Sequence, residues 1–184
     1  MLPQDLLVPF LFTLPAYVAN PSAVLWGGGT PMDFGRVARD GRRILGDGKT
    51  WRGFFGGALT GFSLGVFYAV LDGMSSTSPT WVTGRLLLAF AVMAFGALAG
   101  DVLAAFVKRR LGLERGARAP GLDQYDFLLG ALLLLALADP ALFTAFYLAG
   151  DRIYGLLLVI VITPVLHRAV NLLGYRMGRK KEPW

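Results

Sequence analysis

The chain has 184 residues, 55% of them hydrophobic and only 16% charged, with a mean hydropathy of +0.56. It contains no cysteine and one histidine, which excludes disulfide scaffolds, thiolate metal centres, thiol nucleophiles and any site needing two imidazoles. The net charge is +6, from fourteen arginines and four lysines against ten aspartates and two glutamates; in so apolar a chain that points to an anionic membrane surface or anionic substrate, and no nucleic-acid partner is expected.

A membrane span takes roughly 20 mainly apolar residues. Leu6 to Leu25 is uncharged, interrupted by Pro9, Pro15 and Asn20-Pro21, and has no basic segment before it, so it reads as a retained first helix rather than a signal peptide. The second span is predicted over Phe54 to Leu71. Glycines at 53, 57, 61 and 65 form a stripe along it that admits a close neighbour, either within one subunit or across a homodimer seam. The third span runs from Arg85 to Val107, with Gly96 and Gly100 repeating the spacing. The fourth begins near Asp123 and stops at Ala138, before Asp139-Pro140. Ala141 to Gly150 is too short to cross and reads as an interfacial or re-entrant piece. The fifth span covers Ile153 to Leu173.

The fold expected is therefore an all-α integral membrane protein, one catalytic domain over 1–184, with five transmembrane helices and two large cytoplasmic loops. Sixteen of the 18 Lys and Arg residues fall on one side of this arrangement, leaving only Arg85 and Arg152 opposite. The positive-inside rule then puts the N-terminus outside and the C-terminus in the cytoplasm, as an odd number of spans requires.

Polar chemistry collects on the basic side in three clusters. The first is the loop from Gly27 to Gly53, glycine-rich and long enough to wrap backbone amides around a phosphate. Gly46-Asp47-Gly48-Lys49-Thr50 resembles the end of a P-loop, but Arg43 occupies the position of its first glycine and no strand precedes it. A glycine–lysine loop contacting phosphate survives on chemistry alone. Setting topology and touching anionic lipid is the alternative role of each arginine here. Lys49 differs, because it sits between glycines and a helix start.

The second cluster is Asp101 with Lys108, two helical turns apart on one face. Asp101 lies roughly 10 Å inward from the basic edge of the third span, where a carboxylate is costly unless it meets a cavity, a cation or an arginine of another helix. The third is Asp123 and Asp126, three apart at the start of the fourth span. Helix capping is an alternative use of Asp123. Facing Asp101 across a cavity, the pair would make a hard oxygen site suited to Mg²⁺. His167, Asn171 and Tyr175 recur at four-residue spacing on the last helix, either as helix-end partners or as lining of the same cavity. Carboxylates, a glycine–lysine loop and arginines at a bilayer surface suit a nucleoside triphosphate with Mg²⁺ reacting with an amphiphile. A transporter would need ionisable groups along a path across the membrane, and the outer halves of these helices carry almost none. A scaffold would explain the glycine stripes but not Asp101 with Asp126.

Over nearly its whole length the chain resembles the archaeal CDP-archaeol synthases. The resemblance rests on Asn20-Pro21, the block from Asp40 to Gly53, Gly100-Asp101, Lys108-Arg109, Pro120 through Asp126, His167 with Asn171 and Tyr175, and Pro183-Trp184. More distantly it is similar to phosphatidate cytidylyltransferases. Lys108-Arg109 and the Asp123/Asp126 pair match that signature, but the His-Gly-Gly is absent and Gln124 stands in place of an arginine. The resemblance implies transfer of CMP from CTP to a geranylgeranyl ether lipid phosphate at the cytoplasmic face of the cell membrane. It implies Asp101 and Asp126 as Mg²⁺ ligands with Asp123 assisting, and Lys49, Lys108 and Arg109 neutralising phosphates. Arg42, Arg43 and Arg52 would hold the triphosphate or lipid phosphate, and Asn20, Gly46, Gly48, Thr50, His167 and Asn171 would complete the binding surface.

Overall fold

The computed structural model describes residues 3–75, 84–179 and 182. Lys180, Lys181, Pro183 and Trp184, which entered the charge and resemblance arguments, lie outside the described residues. Among the described residues six helices follow in order: α1 Pro3–Trp26, α2 Trp51–Ser75, α3 Gly84–Arg110, α4 Leu122–Ala138, α5 Pro140–Phe143 and α6 Arg152–Arg176, with a π-helical turn at Thr144–Leu148 between the last two. The predicted spans map onto α1, α2, α3, α4 and α6.

Four of these, α1, α2, α3 and α6, are long and apolar enough to cross a membrane. The fourth expected span, α4, has 17 residues, or about 26 Å at the helical rise, because Asp139 leaves helical geometry with φ −147°. The Asp139 carboxylate then accepts from the Leu142 amide at 2.9 Å and starts α5. Asp139 is also held by Arg85 of α3 at 2.6 Å and 2.7 Å, which ties the far ends of α3 and α4 together.

Of the two expectations for Ala141 to Gly150, interfacial or re-entrant, the structure favours the second, because its Tyr147 turns into the bundle. Tyr147 is fully buried, and its hydroxyl lies 2.8 Å from the Thr13 hydroxyl of α1. Phe146 stacks on Phe12 with ring centroids 3.9 Å apart. A ten-residue apolar run too short to span satisfies its backbone in its own helical turns and buries its aromatic face against α1.

Backbone proximity organises the long helices. A β-carbon on Gly53 or Gly57 would collide with the carbonyls of Ala23 or Ala19, and one on Gly61 with that of Pro15. The rising numbers on α2 meet falling numbers on α1, so the two are antiparallel and in van der Waals contact. Gly65 faces the ring of Phe90 on α3. The stripe is thus filled from within the chain and does not form a homodimer seam. In the same way Gly96 and Gly100 of α3 meet the backbone of α4 around Gly130 and Asp126. Small residues at these crossings let main chains approach in a medium that gives no hydrophobic drive between helices. The core around them includes Phe12, Phe90, Met93, Leu98, Leu128 and Leu135, all buried.

Gly57→Leu is expected to destabilise the fold by about 1–3 kcal/mol or more through overpacking, a fall of several degrees in the thermal midpoint in detergent. Gly84→Ala, where nothing lies within 4 Å of the new carbon, should leave the midpoint unchanged. Equal midpoints for both variants would contradict this account of α1–α2 packing.

Candidate active site at the basic end of the bundle

The loop between α1 and α2 folds on itself through two antiparallel bridges, Pro31 with Thr50 and Val37 with Arg43. Its centre is Asp33, whose side chain is fully buried. The carboxylate accepts from the Gly35, Leu45 and Gly46 amides at 3.1, 3.0 and 2.9 Å and from the Arg43 guanidinium at 2.8 Å and 3.2 Å. The Arg43 hydrogen bond, with those amides, holds the carboxyl well below the usual carboxylate range. The glycine-rich loop does wrap amides around an anion, but the anion is its own Asp33. Gly46 is therefore engaged structurally rather than left open to a phosphate. Sequence reasoning missed Asp33 because an aspartate in a glycine- and arginine-rich loop carries no periodic signal.

Arg110, at the end of α3, fastens the loop to the bundle. It pairs with Asp40 at 2.5 Å and donates to the Arg43 carbonyl at 2.6 Å. Arg42 donates to the Arg110 carbonyl at 3.1 Å, and Arg109 to the carbonyls of Leu45 and Leu113. Arg43 also pairs with Asp47 at 2.8 Å. Thr50 caps α2, its hydroxyl accepting from the Gly53 amide at 3.1 Å. Gly48 is exposed and lies beside the Arg115 guanidinium.

This scaffold carries Lys49 to Asp101. The ammonium and carboxylate are in direct contact, 25% and 19% exposed. Asp101 and Lys108 do not pair with each other. Lys108 binds Asp123 at 2.7 Å and the Ala117 carbonyl at 2.8 Å. The other oxygen of Asp123 accepts from the Ala119 amide at 2.7 Å, so Asp123 fastens the preceding loop instead of capping α4, whose N-cap is Gly121.

Asp126 is buried one turn further along α4 and accepts from the Phe127 amide at 2.6 Å. It lies within electrostatic reach of Asp101, Lys49 and Asp123, and no described cationic side chain forms an ion pair with it. Among the described residues no three carboxylate or imidazole groups converge on one point. Asp101 and Asp126 are neighbours, while Asp123, also within electrostatic reach of Asp126, is held by Lys108 and the Ala119 amide. Two hard carboxylates with one lysine between them fit Mg²⁺, which is usually held by one or two carboxylates together with substrate phosphates.

Two recesses flank the cluster. One, of about 290 Å³, lies between the start of α4 and the end of α6, lined by Arg118, Asp123, Gln124, His167, Arg168 and Asn171. The Asn171 amide nitrogen lies 3.2 Å from His167 Nε2. Tyr175, on the same face, is exposed. The other recess is an apolar groove formed by Trp26, Trp51, Phe55 and Leu59 with Arg52 beside it. Arg52 donates to the Trp26 carbonyl at 2.9 Å. Trp26 lies against Gly56, and its indole N–H donates to Thr60, a direction away from the loop end of α2. Asn20 is half-buried in α1.

A family model described as CarS-like CDP-archaeol synthase matches residues 3–184. The chain is 50% identical to the CDP-archaeol synthase of Methanosphaerula palustris over 93% of this chain and 99% of that protein. It is 44% identical to the CDP-archaeol synthase of Pyrococcus horikoshii, with 98% of each covered. A solved structure of an intramembrane enzyme for archaeal membrane lipid biosynthesis is 37% identical, covers 95% of each chain and superposes with a TM-score of 0.66.

The depressed Asp33 carboxyl gives the loop a pH dependence of definite sign. Its stabilisation is present above the ordinary carboxylate pKa of about 3.9 and is lost only as pH falls through the lower folded value. Hydrogen exchange at Leu45 and Gly46 should stay protected through the range where ordinary aspartates protonate. Asp33→Asn should reduce that protection at neutral pH by about tenfold or more. Unchanged exchange in the variant would contradict the role given to Asp33.

Proposed function

The chain belongs to the CDP-archaeol synthase family, and from that premise we propose that its Lys49–Asp101–Asp126 cluster is where CMP passes from CTP to 2,3-bis-O-(geranylgeranyl)-sn-glycerol 1-phosphate. The products are unsaturated CDP-archaeol and pyrophosphate. The observation that carries the assignment is Asp126. A buried carboxylate among apolar helices, beside a second carboxylate and with no cationic side chain in ion-pair contact among the described residues, is costly unless a ligand compensates it.

An oxygen of the lipid phosphate attacks the α-phosphorus of CTP, the bond to the α–β bridging oxygen breaks, and pyrophosphate leaves with the electron pair. A dianionic acceptor needs no general base. The protein's task is to position two phosphates that repel one another and to neutralise their charge. Asp101 and Asp126 would hold Mg²⁺, which would supply charge neutralisation at the triphosphate. Lys49 already touches Asp101 and offers its ammonium to the same phosphates. Lys108 and Arg109 add positive charge at the end of α3, while Asp123 fixes Lys108. Arg42 and Arg43 act chiefly by keeping the loop folded over the cluster. Arg52 receives the lipid phosphate, with an isoprenoid chain along the Trp26–Phe55 groove.

The basic residues make this end cytoplasmic, by the positive-inside rule. We read α4 as the remaining crossing, its 17 residues extended by the helical segment after Asp139, which gives five spans with the N-terminus outside. The reaction then takes CTP from the cytoplasm while the lipid tails stay in the bilayer.

Purified protein in lipid should release pyrophosphate only with CTP and the ether lipid phosphate together, and chelation by EDTA should abolish release. Asp101→Asn should lower turnover by about 10²–10³-fold or more at saturating CTP while remaining folded. Full activity of that variant would overturn the assignment, and release with phosphatidate but not the ether lipid would move the enzyme to the phosphatidate branch.

A further inference from the structure

Pro164 stands inside α6, an otherwise continuous helix from Arg152 to Arg176. A proline has no amide hydrogen, so the Ile160 carbonyl one turn earlier loses its helical donor. An unpaired carbonyl within a bilayer is costly, and a membrane helix that carries proline takes its missing donor from elsewhere. Here the donor is Tyr125 of α4, whose hydroxyl reaches the Ile160 oxygen at 3.1 Å. The Tyr17 hydroxyl of α1 lies 2.5 Å from that of Thr163, which itself donates to the Val159 carbonyl at 2.6 Å. Hydroxyls from two other helices thus meet α6 in the turn that the proline interrupts. Ile160, Pro164, His167 and Asn171 follow helical spacing and share one face. His167 and Asn171 line the recess from α6, and Asp123 lines it from α4. Tyr125 lies between Asp123 and Asp126, so its side chain ties the segment bearing both carboxylates to the place where α6 is interrupted. α6 packs more extensively on α1 than on α4, which gives this bond between α4 and α6 more weight.

We infer that Tyr125 is a positioning residue: its hydroxyl, bonded to the carbonyl that Pro164 leaves without a donor, fixes the spacing between the α4 and α6 walls of the recess. It touches no substrate itself. Proline is a common site of sharp bends in helices, because the backbone bond that would hold the two halves in line is the one it removes. Released from Tyr125, the segment from His167 to Asn171 can swing against α4. Arg118 and Arg168 outnumber Asp123 in the recess, so the substrate that feels this wall is a phosphate-bearing one. That last step rests on the cytidylyltransferase reading, whereas the placement of the α6 wall does not.

The chain has no cysteine, so nitroxide pairs can be placed at will and their separation read by double electron–electron resonance in lipid nanodiscs. Leu129→Cys with Leu173→Cys spans α4 and the part of α6 beyond Pro164; Leu129→Cys with Leu157→Cys spans α4 and the part before it, and all three side chains are exposed. Tyr125→Phe, which removes only the hydroxyl, should broaden the first distance distribution and leave the second unchanged. It should raise the KM for CTP or for the ether lipid phosphate by about fivefold with kcat retained, and measuring both shows which phosphate the wall serves. Pro164→Ala restores an amide donor for Ile160, so adding Tyr125→Phe to it should change neither readout further. An unchanged first distance in Tyr125→Phe would overturn the proposal, and this holds even where Pro164→Ala fails to fold. So would an equal effect of Tyr125→Phe with and without the proline, or altered distances with both KM values unmoved. A wild type that releases no pyrophosphate refutes the transferase reading and leaves the distances to decide the role of Tyr125.

Discussion

Gly100 of α3 lies so close to the Asp126 carbonyl that any β-carbon at position 100 would be driven into it, and Gly130 of α4 meets the Gly96 and Gly100 backbone just beyond. This contact between main chains fixes how deep α4 sits against α3. Asp101 is the next residue after Gly100, so the approach that packs the helices also sets two carboxylates side by side. Their repulsion is tolerated because the surrounding bundle is close-packed and cannot relax one without moving the other. The same device, repeated between α1 and α2, carries the loop that ends in Lys49 to the same spot.

The charges around that point divide by role. Arg43 and Arg110 neutralise Asp33 and Asp40, and these pairs hold the loop. Lys49 and Lys108 neutralise Asp101 and Asp123 nearer the helices. Asp126 is the carboxylate left over, and it is buried among the helices. An active site in a membrane has to keep such a group available without letting its desolvation unfold the bundle. Here glycine-mediated packing on one side and a lysine within electrostatic reach on the other offset part of that cost. Cytidylyl transfer asks little more of the protein, since the reacting groups belong to the substrates.

Much of this was legible in the residues. Asp101 stood out because a carboxylate inside an apolar run has few innocent explanations, and the glycine stripe on α2 follows directly from four-residue spacing. The end of α4 was legible too, as Asp139-Pro140 stops the helix where expected. Pairing was not legible. Lys49 binds Asp101 across 52 positions, and nothing local distinguishes that from the expected Asp101–Lys108 face. Asp33 was invisible for the same reason: its five hydrogen bonds, from four residues, are assembled by loop geometry, not by period. Tyr147 belongs to a segment too short for periodicity to separate a packed turn from a surface helix, and its burial follows from Thr13 on a distant helix.

The central claim is that Asp101 and Asp126 together receive the divalent cation that accompanies the nucleotide. Electron paramagnetic resonance of Mn²⁺ added with CTP to the protein in nanodiscs tests it most directly. The account predicts a protein-bound Mn²⁺ signal in wild type that is lost in Asp126→Asn, with the variant's thermal midpoint retained. A folded Asp126→Asn protein showing the wild-type signal would contradict it.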